Sequence, residues 1–185
     1  MLKYIYACMS AGKTTELLKT YDQFMRKGLY PVIAKPNVDD REGKVHGWGT
    51  TASKIITRPI PAYYFQNIDE VKKLEFGVLL LDEVQFMNPN EVVKLTEFKT
   101  DVYAYGLKTD VNANLFPASA KILAIADEIR EISMLCQNPD CKNKAVVHSR
   151  YIDGKIDKSG ESVVIEKGQI SYKSLCFDCW KKERD

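Results

Sequence analysis

Near its N-terminus the chain carries the stretch Lys3-Tyr4-Ile5-Tyr6-Ala7-Cys8-Met9-Ser10-Ala11-Gly12-Lys13-Thr14-Thr15. Residues 3–6 predict a short strand, and the apolar residues between Leu17 and Met25 recur at the spacing of a helix that ends near Gly28. The segment between them follows the phosphate-loop pattern G-x-x-x-x-G-K-[ST], with Ala7 in place of the first glycine. A loop between a strand and a helix points backbone amides and the positive helix end at an anion. The stretch therefore predicts a nucleotide phosphate site; the alternative is an exposed helix start with a solvated lysine.

A second motif is the apolar run that ends in two acids, Leu79-Leu80-Leu81-Asp82-Glu83. Such a run predicts a buried parallel strand, and an acid at its carboxyl end faces the crevice in which open α/β sheets bind ligands. We expect Asp82 to hold Mg²⁺ together with the Thr14 hydroxyl, and Glu83 to act as a base. Taken alone, two acids are as readily explained as the solvated end of a strand. Because they follow a phosphate loop in the sequence, they indicate phosphoryl transfer.

The rest of the chain alternates predicted strands with predicted helices. Strands are expected at Pro31–Lys35, Gly77–Asp82 and Val102–Tyr105, and helices at residues 68–74, 89–98 and 119–126. Asn88 and Ser119 are the expected N-caps of the last two helices, and residues 36–61 are expected to be mostly a mobile loop. This alternation predicts an α/β fold, a P-loop NTPase-type parallel sheet flanked by helices. The pattern changes after Ser133, so we predict an ATP-binding domain over residues 1–133 and a second lobe over residues 134–185.

Four of the five cysteines form two close pairs, Cys136 with Cys141 and Cys176 with Cys179. Their spacing predicts a Zn²⁺ ion held by four thiolates, and a closed four-sulfur shell leaves no open position for catalysis. The metal is therefore expected to be structural and to hold a small C-terminal lobe together; four unrelated thiols are the alternative. The polar stretch at residues 153–161 predicts an exposed loop or hairpin tip. Cys8 has no partner and is expected to serve packing.

Composition narrows the class of protein. The 185 residues are 45% hydrophobic and 28% charged, which is typical of a globular chain. The net charge of +2 gives no basic footprint, so we expect binding neither to nucleic acid nor to a membrane. No apolar run approaches the roughly 20 residues that span a bilayer, and the N-terminus lacks a signal-peptide pattern, so a cytoplasmic location is expected.

Together, these motifs resemble the type II thymidine kinase family, and the resemblance covers nearly the whole chain. Residues 9–17 are similar to the family's phosphate loop and first helix, and Asp39-Asp40-Arg41 to its Asp-x-Arg element. The most specific match is Asp82-Glu83-Val84-Gln85-Phe86 to the family's Asp-Glu-x-Gln-Phe. Residues 105–110, residues 115–116 and the order of the cysteines also fit. The resemblance implies a P-loop core and a zinc-binding, lasso-type lobe whose loop covers the substrate base.

The resemblance also implies residue roles. Glu83 is implied as the catalytic base for the 5′-hydroxyl of the nucleoside. ATP and Mg²⁺ are implied to bind Met9, Ser10, Ala11, Gly12, Lys13, Thr14, Thr15, Arg41 and Asp82. The nucleoside is implied to bind Met9, Gln85, Phe86, Leu107, Phe116, Val164, Ile165 and Tyr172. The loop between the cysteine pairs is expected to be mobile without nucleoside and to close over the base, and the assembly is expected to be a homotetramer.

Three positions depart from the family pattern without removing a catalytic group. Ala7 replaces the first loop glycine and fits only if its backbone angles stay in an ordinary region. Val111 stands where an aromatic residue is common. The first cysteine pair has four residues between its members, where the family usually has two.

The function predicted from the sequence is transfer of the ATP γ-phosphoryl group to the 5′-hydroxyl of thymidine. Another nucleoside kinase is the first alternative. A zinc-bearing P-loop ATPase that binds nucleic acid is the second, and the near-neutral charge argues against it.

Overall fold

The structure of the chain is a computed structural model that describes residues 1–37, 46–53, 55–56, 58–159 and 169–185. Three residues with implied roles, Arg41, Val164 and Ile165, lie outside these ranges. Residues 160–168 of the expected covering loop also lie outside them. The roles predicted for these residues remain predictions.

A seven-stranded sheet forms the centre of the molecule. Its strands are β1 (Leu2–Ala7), β2 (Pro31–Pro36), β3 (Gly47–Thr51), β4 (Ile60–Phe65), β5 (Val78–Leu81), β6 (Asp101–Leu107) and β7 (Glu128–Ile132). Their spatial order is β3-β4-β2-β5-β6-β1-β7, and every neighbouring pair is parallel except β3 with β4. The predicted α/β fold with a largely parallel sheet is confirmed.

Helices cover both faces of this sheet. They are α1 (Lys13–Arg26), α2 (Ile68–Val71), α3 (Pro89–Val92) and α4 (Pro117–Ile125), with 3₁₀ turns at Val84–Phe86 and Val93–Glu97. Successive residues of β5 point to opposite faces, so Leu81 packs in one core cluster with Ile122 and Leu80 packs in the other with Leu17. All of β5 is buried, which explains its uninterrupted apolar sequence. No helix in the described ranges is long and apolar enough to cross a bilayer.

The C-terminal part forms a smaller antiparallel sheet. Its strands are β8 (Val147–Ile152), β9 (Lys155–Ile156) and β10 (Ile170–Leu175), in the order β10-β8-β9, and helix α5 (Phe177–Arg184) follows. Asp153 and Gly154 join β8 to β9 with φ of 51° and 76°, the left-handed pair of a tight hairpin. A hairpin tip therefore lies within the polar stretch, as predicted. The boundary at residue 133 remains a prediction.

The prediction of a mostly mobile loop over residues 36–61 is wrong for residues 47–51. These residues form β3, which pairs with β4, and Trp48 packs edge-on against Tyr63 with 5.6 Å between ring centroids. The two glycines give this segment a low strand propensity, so the sequence alone does not indicate a strand. The strand forms because pairing with β4 and side-chain packing outweigh that propensity. The strands β4 and β7 also lie outside the predicted elements.

The predicted N-cap of α4 is wrong as well. The helix begins at Pro117 with Phe116 as its N-cap, and proline suits a first helical position. The Ser119 hydroxyl instead donates to the carbonyl of Leu107 at 2.6 Å. The other predicted cap is confirmed, because the Asn88 side chain accepts a 3.0 Å hydrogen bond from the Asn90 amide. That helix is shorter than predicted: it ends at Val92 and continues only as a 3₁₀ turn to Glu97.

Gly77, just before β5, is a position that we expect to accept no side chain. A Cβ atom there would lie 2.3 Å from the carbonyl oxygen of Leu29, a clash with backbone. We expect Gly77→Ala to lower the free energy of unfolding in urea by roughly 1–3 kcal/mol. The control is Gly28→Ala, where φ is +68° but the space is open, so only backbone strain contributes. A Gly77→Ala protein as stable as the wild type would contradict this account.

Candidate active site

The candidate site lies where four neighbouring parallel strands end. In the sheet, β2, β5, β6 and β1 are adjacent, so their carboxyl ends meet at one edge. The phosphate loop follows β1, Asp82 and Glu83 follow β5, Leu107 ends β6, and Lys35 lies near the end of β2. This is the edge at which open α/β sheets bind ligands.

The phosphate loop tolerates Ala7 because the turn is made further along. Ala7 is the last residue of β1 and is buried, while the left-handed residues are Ser10 (φ 62°) and Gly12 (φ 85°). The Ala11 amide donates to the Cys8 carbonyl at 3.3 Å, which closes the loop on itself. Helix α1 begins immediately after Gly12, so its positive end faces the loop.

Lys13 is a buried cation held by two acids. Its Nζ lies 2.5 Å from Asp82 Oδ1 and 3.0 Å from Glu83 Oε1, and the Lys13 side chain is 8% exposed. Burial alone would lower the pKa of Lys13, but the two carboxylates outweigh it and raise the pKa above its ordinary value. The Thr14 hydroxyl lies 3.4 Å from Asp82 Oδ2, so hydroxyl and carboxylate oxygens converge beside the lysine.

Glu83 occupies a strained backbone position. Its φ is 55° and its ψ is 36°, a left-handed conformation that costs a non-glycine residue on the order of 1–3 kcal/mol. Its Oε2 accepts a 2.6 Å hydrogen bond from Gln85 Nε2. Burial raises the pKa of Glu83, but the Lys13 ammonium and then the Gln85 amide outweigh it, so the pKa is lowered to about 2. The carboxylate is therefore ionised at neutral pH.

Gln85 connects Glu83 to the end of β6. Its Oε1 accepts from the Leu107 amide at 3.0 Å, and Tyr4 and Ser119 donate to the Leu107 carbonyl at 3.1 and 2.6 Å. Both backbone groups of Leu107 are thus bonded to buried side chains. Gln85 itself is buried and fixes the orientation of Glu83.

A cleft of about 670 Å³ opens over these groups. Its lining contains eight of the residues assigned from the sequence: Met9, Ser10, Gly12, Lys13, Thr14, Thr15, Glu83 and Leu107. Three other assigned residues do not line the cleft but adjoin residues that do. Ala11 is part of the phosphate loop, Asp82 is fully buried and pairs with Lys13, and Gln85 is buried and bonds Glu83.

The assigned aromatic residues form two pairs. Phe86 and Phe116 meet edge to face with 5.9 Å between ring centroids. Tyr172 on β10 meets His148 on β8 at 6.0 Å. Tyr172 and Ser174 lie on the same face of β10, and the Ser174 hydroxyl donates to the Met9 carbonyl at 2.6 Å. Tyr172 therefore faces the same side as the phosphate loop. His148, to which the sequence assigned no role, is buried, and burial lowers its pKa to about 4.

The four paired cysteines converge on one point. Their sulfur atoms all lie within 4.8 Å of one another, and Cys141 Sγ is 3.7 Å from Cys176 Sγ. Tetrahedral zinc with Zn–S bonds of about 2.3 Å requires sulfur separations of roughly 3.8 Å. The Cys179 amide donates to Cys176 Sγ at 3.5 Å and lowers the pKa of Cys176 to about 7. Donor type, geometry and hydrogen bonding to sulfur all fit a four-thiolate metal site.

Five other residues that line the cleft are absent from the sequence assignment, among them Lys35 and Ser53. Lys35 Nζ lies 3.9 Å from Asp82 Oδ2 and above the ring of Tyr64. Its position at the end of a predicted apolar strand could have indicated a place in the site. The Ser53 hydroxyl accepts from Thr15 Oγ1 at 3.1 Å. No motif marks Ser53, because it follows the edge strand that the sequence does not predict.

Comparison with known proteins identifies the family. A family model described as thymidine kinase matches residues 1–180, which include the phosphate loop, the acid pair and all four paired cysteines. The chain belongs to the thymidine kinase family. It is 33% identical to the thymidine kinase of Legionella pneumophila (strain Lens), covering 95% of this chain and 86% of that one. It is 31% identical to the thymidine kinase of Enterobacteria phage T4 (98% and 95%) and 34% identical to that of Rhizobium meliloti (97% and 95%). Membership in this family makes the chain an ATP-dependent kinase.

We expect turnover to require a residue without a side chain at position 106, which is Gly106 in this thymidine kinase family member. A Cβ atom at Gly106 would lie 2.7 Å from Val84 Cγ2 and 2.9 Å from Gln85 Oε1. We expect Gly106→Ala to displace Gln85 and with it Glu83, and to lower kcat between about 10- and 100-fold. The control is Gly154→Ala in the β8–β9 turn, where an added Cβ meets open space. Equal kcat values for the two variants would show that Gln85 does not depend on Gly106.

Proposed function

We propose that this chain transfers the γ-phosphoryl group of ATP to the 5′-hydroxyl of thymidine, giving dTMP. The observation that carries the proposal is the position of Glu83, an ionised carboxylate in the cleft, 3.0 Å from the phosphate-loop lysine. A base beside a phosphate-binding cation is the arrangement that phosphoryl transfer to a hydroxyl requires. The relatives from Legionella, phage T4 and Rhizobium carry the name thymidine kinase.

The ATP side of the proposed site is the phosphate loop. Its backbone amides and the start of α1 bind the phosphates, and Lys13 contacts the β and γ oxygens. Thr14 and Asp82 supply the oxygen ligands that Mg²⁺ prefers, and their oxygens lie 3.4 Å apart. Mg²⁺ bound there would neutralise negative charge on the transferring phosphoryl group. Arg41 belongs to this side by resemblance alone.

The proposed role of Glu83 is to accept the 5′-hydroxyl proton. In this structure, Gln85 holds one of its oxygens and Lys13 holds the other. Phosphates compete with Glu83 for the Lys13 ammonium, and that competition leaves Oε1 available to the hydroxyl. Gln85 keeps the carboxylate oriented throughout, because it is anchored to the Leu107 amide.

The proposed nucleoside side is built from Met9, Leu107 and the aromatic residues Phe86, Phe116 and Tyr172. Apolar and aromatic surfaces suit the faces of a pyrimidine, while polar groups select its edge. Gln85 is assigned to this side too, with Val164 and Ile165 by resemblance. The substrate is a free nucleoside rather than nucleic acid.

The proposal also covers the metal content, the domain division, the assembly and the location of the protein. We propose a structural Zn²⁺ at Cys136, Cys141, Cys176 and Cys179, an ATP-binding unit at residues 1–133 and a zinc-binding lobe at residues 134–185. A homotetramer, proposed on family resemblance alone, and the cytoplasmic location expected from the sequence complete it.

Turnover across a panel of nucleosides tests the proposed function. With ATP and Mg²⁺, we expect the highest kcat/KM for thymidine among thymidine, deoxyuridine, deoxycytidine and deoxyadenosine, with dTMP as the product. A preference for another nucleoside would move the enzyme to a different kinase class. ATP hydrolysis stimulated by DNA and unaffected by nucleosides would replace the proposal with a nucleic-acid-dependent ATPase.

Replacing Glu83 tests its role as the base. We expect Glu83→Gln to keep ATP and thymidine binding and to lower kcat by about 10²–10⁴-fold, the usual worth of a general base. Glu97→Gln is the matched control, since Glu97 is exposed and pairs with Lys72 away from the cleft. A Glu83→Gln kcat within threefold of wild type would remove Glu83 from this role.

Metal analysis tests the zinc site. Protein purified without chelator should contain one Zn²⁺ per chain, and Cys176→Ser should lose the metal and melt at a lower temperature. Cys8→Ser is the matched control, because Cys8 lies in the phosphate loop and should leave zinc content unchanged. Equal zinc content in the two variants, or no zinc in the wild type, would refute the assignment.

A further inference from the structure

The last helix, α5, contacts the loop that follows β6 through two of its side chains. Trp180 Nε1 donates to the Val111 carbonyl at 3.1 Å, and Arg184 Nη1 donates to the same oxygen at 3.2 Å. Arg184 Nη2 also donates to Asn112 Oδ1 at 2.9 Å. The Arg184 guanidinium lies 5.0 Å from the Trp180 ring centre, so the two donors support each other.

The contacted loop is closed and carries a pocket residue at its end. Thr109 and Leu115 form an isolated antiparallel bridge at its base. Inside the loop, Asp110 Oδ1 accepts hydrogen bonds from the amides of Asn112 and Asn114, each at 2.9 Å. These contacts connect the tip of the loop to its base. Any shift at its tip is therefore passed to its base.

Phe116 directly follows this loop. Its amide donates to the Lys108 carbonyl at 3.2 Å, and its ring packs edge-on against Phe86. Val111 is buried at 3% exposure, so water cannot readily replace donors that its carbonyl loses. Loss of the α5 contacts should therefore displace the loop and move the Phe116 ring.

Helix α5 is itself fixed by the cysteine cluster. Cys176 is its N-cap, and Cys179 lies in its first turn. Trp180 stacks on Phe177 with 5.5 Å between ring centroids, which fixes the indole on the helix surface. The donors to Val111 thus project from a helix whose start is held by two of the four clustered thiols.

We propose that Trp180 and Arg184 are positioning residues for nucleoside binding, acting through the Val111 carbonyl on the loop that leads to Phe116. This inference rests on the proposed function, because it takes Phe116 as part of the nucleoside pocket. It concerns the nucleoside side, because Trp180 and Arg184 bond the loop at Val111 and Asn112, whereas the bond from the C-terminal residues to the phosphate loop comes from Ser174 on β10. A helix that merely stabilised the fold would change stability or affect both substrates alike.

The test uses Trp180→Phe, which removes one donor and keeps the ring, and Arg184→Met, which removes the guanidinium and keeps a straight apolar chain. Lys182→Met is the matched control, because Lys182 is an exposed cation on the same helix. We expect each single variant to raise the KM and the calorimetric Kd for thymidine on the order of fivefold, and the double variant more than tenfold. The KM for ATP, the zinc content and the values for Lys182→Met should stay within twofold of wild type.

Unchanged thymidine affinity in the double variant, or equal rises in the KM for thymidine and for ATP, would overturn the inference. Should Trp180→Phe fail to fold, Arg184→Met alone decides, because it removes both bonds made by the guanidinium. Wild-type protein is assayed alongside. If the wild type itself does not phosphorylate thymidine, the proposed function fails rather than the positioning role.

Discussion

Lys13 is a cation with almost no access to water, and such a charge is stable in a protein only beside opposite charges. Its partners, Asp82 and Glu83, follow a different strand, so the ion pairs tie the end of β5 to the loop after β1. Removing one partner of a buried pair typically costs on the order of 3–5 kcal/mol. The strand order of the sheet and the register of α1 must therefore keep these three groups together. A nucleotide phosphate is the natural competitor for that lysine, since it offers more negative charge at the same place.

A chain of hydrogen bonds runs inward from this cluster and restricts the rotation of the Glu83 carboxylate, the proposed base. Glu83 is held by Gln85, Gln85 by the Leu107 amide, and the Leu107 carbonyl by Tyr4 and Ser119. Gly106 leaves the room in which Gln85 lies. Glu83 also has a left-handed backbone, which a chain retains only where surrounding contacts enforce it. The left-handed backbone of Glu83 directs its carboxylate into the cleft, and the hydrogen bond from Gln85 limits the rotation of that carboxylate.

The sequence reveals what local chemistry determines and hides what tertiary contacts determine. Lys13, Thr14, Asp82 and the cysteine pairs stand in fixed spacings, so they are identifiable from the sequence, as is the buried strand β5. By contrast, β3 depends on pairing with β4, and the Ser119 hydroxyl depends on the nearness of Leu107, neither of which a local pattern contains. Lys35 falls between these cases. Its strand is predictable, but its place beside Asp82 follows only from knowing that β2 and β5 are neighbours.

Among the described residues, two of the hydrogen bonds between the C-terminal part and the rest of the chain reach separate loops, and their positions bear on the role of the C-terminal part. The Ser174 hydroxyl binds the Met9 carbonyl in the phosphate loop, and Trp180 binds the Val111 carbonyl beyond β6. Met9 and Phe116 are both assigned to the proposed nucleoside pocket, so the C-terminal residues bond the chain at one assigned residue and on the loop that leads to the other. Ser174 and Trp180 flank Cys176 and Cys179 in the chain, and a metal held by those thiols would fix the distance between the two attachments. A structural metal remote from the reacting atoms can then influence substrate binding through geometry alone, because it sets the spacing of the two carbonyls that the lobe holds.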